Sequence, residues 1–185
     1  MRERRLNEFK GLVLLAAGLI VLASLASFTP FDLGFYTSHP NIPPKNFIRT
    51  FGAYLAGLFL FLFGWSSYLI PAVIIFLGMG LFKQEKPYLS PARIVGGIIL
   101  LLSLSSLIGM LSNQIDAVSF SRGGFLGLAM SRFIIGYFGR LGGYIIFITL
   151  MTLSAALVTE TLISSFLDKS LHNARFLLQS FLKFK

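Results

Sequence analysis

Four stretches of this chain contain no charged residue, and each is long enough to cross a lipid bilayer. They cover residues 11–31, 50–82, 94–115 and 142–159, and a helix crosses the hydrocarbon core in about 20 residues. Lipid offers no water to backbone N–H and C=O groups, so each stretch must form a helix that satisfies them internally. Barrel strands would alternate polar and apolar residues over segments of about 10 residues. The sequence therefore predicts an all-α, polytopic membrane protein with four transmembrane helices.

Composition agrees with this fold class and excludes several functions. Hydrophobic residues make up 55% of the chain and charged residues only 12%, which is too apolar for an ordinary soluble domain. Cysteine is absent, which excludes disulfides and thiol redox chemistry. The net charge of +9 does not indicate nucleic-acid binding, because the bases flank the helices instead of clustering in one patch. We expect no direct nucleic-acid binding by this segment.

The distribution of lysine and arginine predicts the orientation. Regions that carry more of these bases face the cytoplasm. Five bases lie in the two longer loops: Lys45, Arg49, Arg122, Arg132 and Arg140. The others lie at the two ends and in the short loop after helix two: Arg2, Arg4, Arg5, Lys10, Lys83, Lys86, Arg93, Lys169, Arg175, Lys183 and Lys185. Both termini are therefore predicted to be cytoplasmic, and the two longer loops are predicted to face outward.

These patterns divide the chain into three parts. Residues 1–10 form a basic cytoplasmic N-terminus, and residues 11–162 form the four-helix membrane domain, with helices at about 11–29, 51–82, 93–113 and 142–160. Residues 163–185 form an amphipathic basic tail that leads to a linker or to the end of the chain. The tail suits the anionic inner leaflet, although a solvated helix that packs on a neighbour explains it equally well. A cleaved signal peptide is a second interpretation of the N-terminus, but the uncharged run is long for one.

Two segments depart from simple straight spans. The second stretch is longer than one span requires and contains Pro71 near its middle, so we expect a tilted or bent helix with a kink at this proline. The second outer loop has apolar residues at helical spacing, but its arginines would be costly at bilayer depth. We expect an interfacial helix there that dips into the membrane without crossing it. Its apolar residues are Phe125, Leu128, Ala129, Phe133 and Ile135.

Residues that could carry chemistry are few. The chain has no glycine-rich phosphate loop ending in Gly-Lys-Ser/Thr, and His39 and His172 fall on opposite sides of the membrane. Asp32 and Asp116 both face outward and could form an acid/base pair, but each also fits a turn or helix-cap role. No charge interrupts the four apolar cores, which counts against an ion-coupled transporter. We expect no enzyme activity, no catalytic residue, no cofactor and no metal.

Small residues spaced four apart predict close helix packing, because lipid provides no hydrophobic drive for helices to associate. The spacing leaves open whether the packing is within one chain or between subunits. The pairs are Gly52 and Ala56, Ala53 and Gly57, Ser105 and Gly109, Gly123 and Gly127, and Gly139 and Gly143.

Four motifs occur in order: "SFTPFD" at the end of helix one, "FGAYLAGLFLFLFGWSSYLIP" in helix two, then "GGFLG" and "YFGRLGGYIIFITL". Through them the chain resembles the four-helix N-terminal membrane domain of the FtsK/SpoIIIE DNA translocases over roughly residues 12–162. The matching structural positions are Ser27, Phe28, Asp32, Gly52, Ala53, Phe63, Gly64, Tyr68, Pro71, Gly123, Gly124 and Gly127. Three positions depart from the family pattern. Leu33 stands where the family often has proline, Arg49 where it often has glycine, and Gly57 where it commonly has aspartate.

The resemblance implies a membrane anchor and oligomerisation domain of a septal DNA translocase in the bacterial inner membrane, acting in cell division and chromosome segregation. It implies contact with lipid, with copies of itself and with other division proteins, and a motor domain that is not in this chain. One alternative is a small channel or lipid-handling protein with a polar path along Ser103, Ser105, Ser106 and Asn113. Another is a membrane enzyme that uses Asp32 or Asp116.

Overall fold

The computed structural model describes residues 2–82, 91–111 and 117–159, with side chains from 4 to 82, 91 to 111 and 122 to 158. Within these ranges the chain is helical and contains no strand. Four helical segments are long and apolar enough to cross a membrane: Arg4–Ala26, Arg49–Phe82, Pro91–Met110 and Arg122–Val158. The predicted all-α fold with four spans is confirmed. Asp116, Asn113, His172, the loop at 83–90 and the tail at 163–185 lie outside the described residues.

The helices are named in chain order. They are α1 (Arg2–Ala26), α2 (Arg49–Phe63), α3 (Leu69–Phe82), α4 (Pro91–Met110) and α5 (Ala117–Thr159). Short 3-10 turns occur at Pro30–Asp32 and at Gly64–Tyr68. Helix one ends at Ala26, three residues before the predicted end. Just after this end, the Ser27 hydroxyl donates to the carbonyl of Ala23 and accepts from the next loop.

The helices pack as two pairs that α2 brings together. α1 lies along α3, and α4 lies along α5, while α2 and the turn that follows it bridge the two pairs. Glycine allows the close contact within the first pair, since a Cβ on Gly78 would lie only 3.1 Å from the carbonyl oxygen of Gly11. Small and polar side chains fill the interior: Ser24, Ala53, Ala56, Ser103, Ser105, Ser106 and Ser154 are all buried. Large apolar side chains face outward, as expected where lipid surrounds the protein.

The second span is broken, but at a different place from the one predicted. α2 ends at Phe63 and Gly64 has a φ of 58°, so the chain leaves the helix there and passes through a 3-10 turn before α3. Pro71 is the third residue of α3. Its missing N–H costs little there, because the first N–H groups of a helix have no intrahelical acceptor. The break therefore lies at Gly64, and the expected kink at Pro71 is wrong.

α5 contains two sharp turns, at Gly124 and Gly139, where φ is 66° and 70°. The segment between them, residues 125–138, is helical, as predicted for the second outer loop. Its beginning lies inside the bundle, since a Cβ on Gly123 would be 2.6 Å from the Cα of Gly109, and one on Gly127 would be 2.5 Å from the carbonyl oxygen of Ser105. Ser105 is five residues from the last residue of α4, or about 7.5 Å along the helix. The segment therefore dips below the outer end of α4, and its place at the lipid interface stays a prediction.

Candidate functional site

The carboxylate of Asp32 holds the first outer loop together. One oxygen accepts from the side-chain amide of Asn41 at 2.8 Å and from the backbone N–H of Lys45 at 2.9 Å, and the other accepts from the backbone N–H of Asn46 at 2.8 Å. The side chain is buried, with 6% of its surface exposed. The sequence predicted a local turn cap, but the bonds reach 9 to 14 residues along the chain.

Electrostatics keep Asp32 ionised. Burial alone would raise its pKa, but hydrogen bonds from the N–H of Lys45, the amide of Asn41 and the N–H of Asn46, together with the charge of Lys45, hold the pKa of Asp32 below its ordinary value. Each of its oxygens already accepts a short bond from the loop. Such a carboxylate is a structural acceptor, and it is poorly suited to take up a proton near neutral pH.

Asn46 extends this network to two helices. Its amide donates to the carbonyl of Ser24 in α1 at 2.8 Å, and its side-chain oxygen accepts from the N–H of Ile48, just before α2, at 3.0 Å. Gly52 leaves room for this arrangement, because a Cβ there would lie 2.3 Å from the Asn46 oxygen and 2.7 Å from the Ser24 hydroxyl. The Ser27 hydroxyl adds a bond from the N–H of Phe47 at 2.9 Å. We call these residues the Asp32 cluster: Ser24, Ser27, Asp32, Asn41, Asn46 and Gly52.

A second group of small residues lies where α2 ends, beside α4 and α5. A Cβ on Gly64 would meet the backbone of Arg122 and Gly124, and one on Gly124 would meet the backbone nitrogen of Gly64. Both glycines have a positive φ that L side chains rarely adopt. The Ser105 hydroxyl donates to the carbonyl of Gly123 and lies 3.3 Å from the carbonyl oxygen of Phe63. We call this group the glycine crossing: Gly64, Ser105, Gly109, Gly123, Gly124 and Gly127.

Aromatic side chains surround the outer face of both groups. The guanidinium of Arg122 lies 5.5 Å from the centre of the Trp65 ring, and Phe61 stacks on Phe125 at 5.7 Å. The Tyr68 hydroxyl donates to the carbonyl of Leu25 at 3.1 Å, which ties the turn after α2 to the end of α1. A groove of about 630 Å³ opens here. It is lined by Leu25, Ala26, Phe28, Pro30, Tyr36, Gly57, Leu60, Phe61, Trp65 and Tyr68.

Sequence comparison identifies the family. A family model described as the 4TM region of DNA translocase FtsK/SpoIIIE matches residues 3–171 of this chain. The chain belongs to the FtsK/SpoIIIE family. It is 34% identical over 145 residues, 75% of its length, to DNA translocase FtsK of Shewanella oneidensis, and 27% identical over 166 residues, 88% of its length, to DNA translocase FtsK of Rickettsia prowazekii. The matches span only 16% and 22% of those two relatives. No solved structure matches the chain significantly.

The structure places most of the FtsK/SpoIIIE motif positions in the two groups described above. Ser27, Asp32 and Gly52 belong to the Asp32 cluster, and Ala53 is buried one residue further along α2. Gly64, Gly123, Gly124 and Gly127 belong to the glycine crossing, with the carbonyl of Phe63 beside them. Phe28 and Tyr68 line the aromatic groove, and Pro71 is buried at the start of α3.

Sequence reasoning missed the partners that complete the Asp32 cluster. Ser24, Asn41 and Asn46 are not among the motif positions given above. One available signal was the family glycine three residues after Asn46, where this chain has Arg49. Arg49 has a φ of 56° and is the one non-glycine residue with a positive φ in the part of the chain that the structure describes. The N–H of Arg49 donates to the carbonyl of Asn46 at 2.8 Å, so this asparagine starts a tight turn into α2.

The two groups consist of hydrogen-bonded polar side chains and glycines within the described residues. Asp32 has no second carboxylate beside it among the described side chains, and no group of three metal-ligating side chains occurs within those ranges. Asp116, the other member of the predicted acid/base pair, lies outside them. Both groups instead use polar atoms and glycines to fix helix ends and a helix crossing. The arrangement is that of a structural framework.

Proposed function

We propose that this chain is the membrane anchor and oligomerisation domain of a DNA translocase that acts at the division septum of the bacterial inner membrane. The observation that carries the proposal is the family match over residues 3–171 of a chain with four membrane spans. The chain corresponds to the membrane region of the family and not to its motor. The curated relatives named DNA translocase are much longer, so DNA pumping itself would depend on a part beyond the matched region, and this segment should hydrolyse nothing.

Exposed aromatic surface at the outer side supports a role in assembly. Phe133, Tyr137, Phe138 and Leu141 surround the turn at Gly139, and each is at least 60% exposed. A Cβ on Gly136 or Gly139 would meet nothing within 4 Å, so another helix could approach the backbone closely here. Copies of this chain and other division proteins are the partners that we propose for this surface.

Localisation tests the septal role. A fluorescent fusion of the chain expressed at native level should concentrate at midcell. Gly64→Val should abolish this pattern because it breaks the glycine crossing, whereas Gly97→Ala should keep it, because a Cβ at this position of α4 would meet nothing within 4 Å. A uniform envelope signal from the correctly folded parent chain would contradict the septal proposal. The variant Tyr137→Cys tests self-association separately, since oxidation should crosslink copies of the chain in native membranes.

The three serines that the channel alternative invokes lie within the described residues, and their hydroxyls bond to helix backbone. The hydroxyls of Ser103 and Ser106 donate to carbonyls one turn earlier in α4, at 2.6 Å and 2.8 Å, and that of Ser105 donates to Gly123. All three serines are buried at helix contacts. Serines used in this way pack helices, and they do not present free hydroxyls to a water-filled path.

A further inference from the structure

We infer that a groove between α3 and α4 holds an acyl chain of an anionic phospholipid, with the lipid phosphate at Arg93. The groove has a volume of about 560 Å³. Its walls come from α3, the first turns of α4 and one residue near the end of α5. They are Leu69, Ile70, Ala72, Val73, Ile74, Phe76, Leu77, Arg93, Ile94, Gly97, Ile98, Leu100, Leu101 and Val158. Arg93 is the one charged residue among these lining residues.

The groove follows from how the helices pair. α3 packs on α1 and α4 packs on α5, so within the described ranges α3 and α4 have very little direct contact with each other. Gly97 widens the gap, since a Cβ there would meet nothing within 4 Å. Apart from Arg93 the walls are apolar, and they lie in three membrane spans, so the groove opens sideways to lipid and not to water.

The dimensions fit one leaflet. Arg93 and Leu101 are eight residues apart in α4, which corresponds to about 12 Å along a helix. Half of a hydrocarbon core of about 30 Å is about 15 Å. The orientation predicted from charge puts Arg93 at the cytoplasmic surface, so the groove would extend from the headgroup level of the inner leaflet towards the bilayer centre.

Charge specifies the kind of occupant. A guanidinium binds phosphate through paired hydrogen bonds, and Arg93 lies in the first turn of α4, where the helix dipole also favours an anion. A cation at one end and an apolar channel beyond it match a headgroup and its tail. A membrane-spanning helix would instead need a groove about 30 Å long.

Photo-crosslinking tests the inference directly. The 185-residue chain is placed in nanodiscs with equal amounts of two probe lipids in turn, phosphatidylglycerol and phosphatidylcholine, each with a photoactivatable acyl chain. Crosslinked peptides are then identified by mass spectrometry. The parent chain should be labelled on α3 and α4 between residues 69 and 101, at least threefold more by phosphatidylglycerol. Equal labelling by both lipids, or labelling that falls outside α3 and α4, would overturn the inference.

Two variants separate the tail from the headgroup. Gly97→Leu fills the groove and should reduce labelling by both lipids at least fivefold, while its control, Ala16→Leu, adds bulk at an exposed position of α1 and should leave labelling unchanged. Arg93→Gln should keep the labelling but bring the ratio of labelling by phosphatidylglycerol to labelling by phosphatidylcholine close to one. Its control, Lys10→Gln, removes a different predicted cytoplasmic base and should keep the ratio of the parent chain. Unchanged labelling in Gly97→Leu, or unchanged preference in Arg93→Gln, would refute the inference. Arg93→Gln adds no volume to the groove, so it tests the headgroup preference even if Gly97→Leu folds poorly.

Discussion

The side chain of Leu33 occupies the space beside Gly57. A Cβ on Gly57 would lie 2.6 Å from Cδ1 of Leu33, and Leu33 is completely buried. Both residues are among the three departures from the family resemblance given above, in which proline is frequent at position 33 and aspartate is common at position 57. The two departures therefore touch each other. A larger residue in the loop is matched by the absence of a side chain in α2.

This contact predicts that the two positions are energetically coupled. Gly57→Ala should lower the free energy of unfolding by about 1–3 kcal/mol through overpacking, and Leu33→Ala by about 2–5 kcal/mol through a cavity. The double variant should cost less than the sum, because alanine at 33 makes room for the new methyl group. The free energy of unfolding is measured in mixed micelles for the parent chain, the two single variants and the double variant. Simple additivity would show that the contact does not exist, and Gly136→Ala serves as a glycine control without neighbours.

Replacement of Asp32 should loosen the outer loop. Asp32→Ala leaves the backbone N–H groups of Lys45 and Asn46 without their acceptor, and each such loss costs about 1–3 kcal/mol where water cannot replace it. Thermal unfolding should show the loss. Because the pKa of Asp32 is lower in the folded state, its stabilising effect is fully present above the ordinary aspartate value of about 3.9 and is lost as the pH falls through the lower folded value.

The pH dependence has its own control. Asp32→Asn keeps the shape but has no titrating group, so its stability should change less between pH 6 and pH 3 than that of the parent chain. An identical acid dependence in the two chains would mean that another group causes the loss of stability.

Arg49→Gly should stabilise the chain. A left-handed conformation costs a non-glycine residue about 1–2 kcal/mol, and glycine removes this cost. Part of the gain is offset because glycine raises the conformational entropy of the unfolded state. We expect a net increase of about 0.5–1 kcal/mol in the free energy of unfolding. Arg49→Ala removes the same charge at the start of α2 but keeps the strain, so it is the matched control. If alanine stabilises as much as glycine, charge and not backbone conformation explains the effect.

Gly64→Ala should be among the most damaging single changes in the chain. The new methyl group would meet the backbone of Arg122, and alanine does not readily adopt a φ of 58° with a ψ of −138°. We expect a loss of more than about 4 kcal/mol, the range of exceptional substitutions. Ser105→Ala removes one hydrogen bond at the same crossing and should cost only about 1 kcal/mol. Similar unfolding midpoints for the two variants would argue against the crossing as the key contact.

Cysteine labelling tests the predicted orientation, since the chain has no cysteine of its own. Ser38 is exposed in the first outer loop, and Ser90 lies in the loop predicted to be cytoplasmic. In intact cells a membrane-impermeant maleimide should react with a cysteine at position 38 and not with one at position 90. The reverse pattern would invert the topology.

The four spans could be predicted from sequence because lipid forces long uncharged segments into helices. The break at Gly64 could not, since what holds it there is the backbone of Arg122 and Gly124, about 60 residues further along the chain. Glycine alone did not distinguish this position from the many other glycines. Pro71 indicated a kink more strongly than any glycine, but the effect of a proline depends on where its helix begins. Because α3 begins at Leu69, after the turn at Gly64–Tyr68, Pro71 lies in the first turn of α3 and causes no kink.

The candidate site was predictable in part for a similar reason. Asp32 and Gly52 belonged to recognisable motifs, but the donors of Lys45 and Asn46 are backbone N–H groups, which any residue carries. Their convergence on one carboxylate depends on the path of the loop. Gly123 and Gly109 each belong to a pair of small residues spaced four apart, and the sequence predicts that each pair packs closely against a helix. The spacing does not indicate that these two pairs contact each other.

The Asp32 cluster has a consequence for the speed of recognition at the outer surface. Phe35, Ile42 and Phe47 are each at least 68% exposed on a loop whose backbone Asp32, Asn46 and Ser27 already fix. The entropy of ordering this loop is lost when the chain folds, and not when a second protein arrives. A protein that docks on these side chains would meet a rigid surface, so its association rate would be set by diffusion and orientation and not by a rearrangement of the loop.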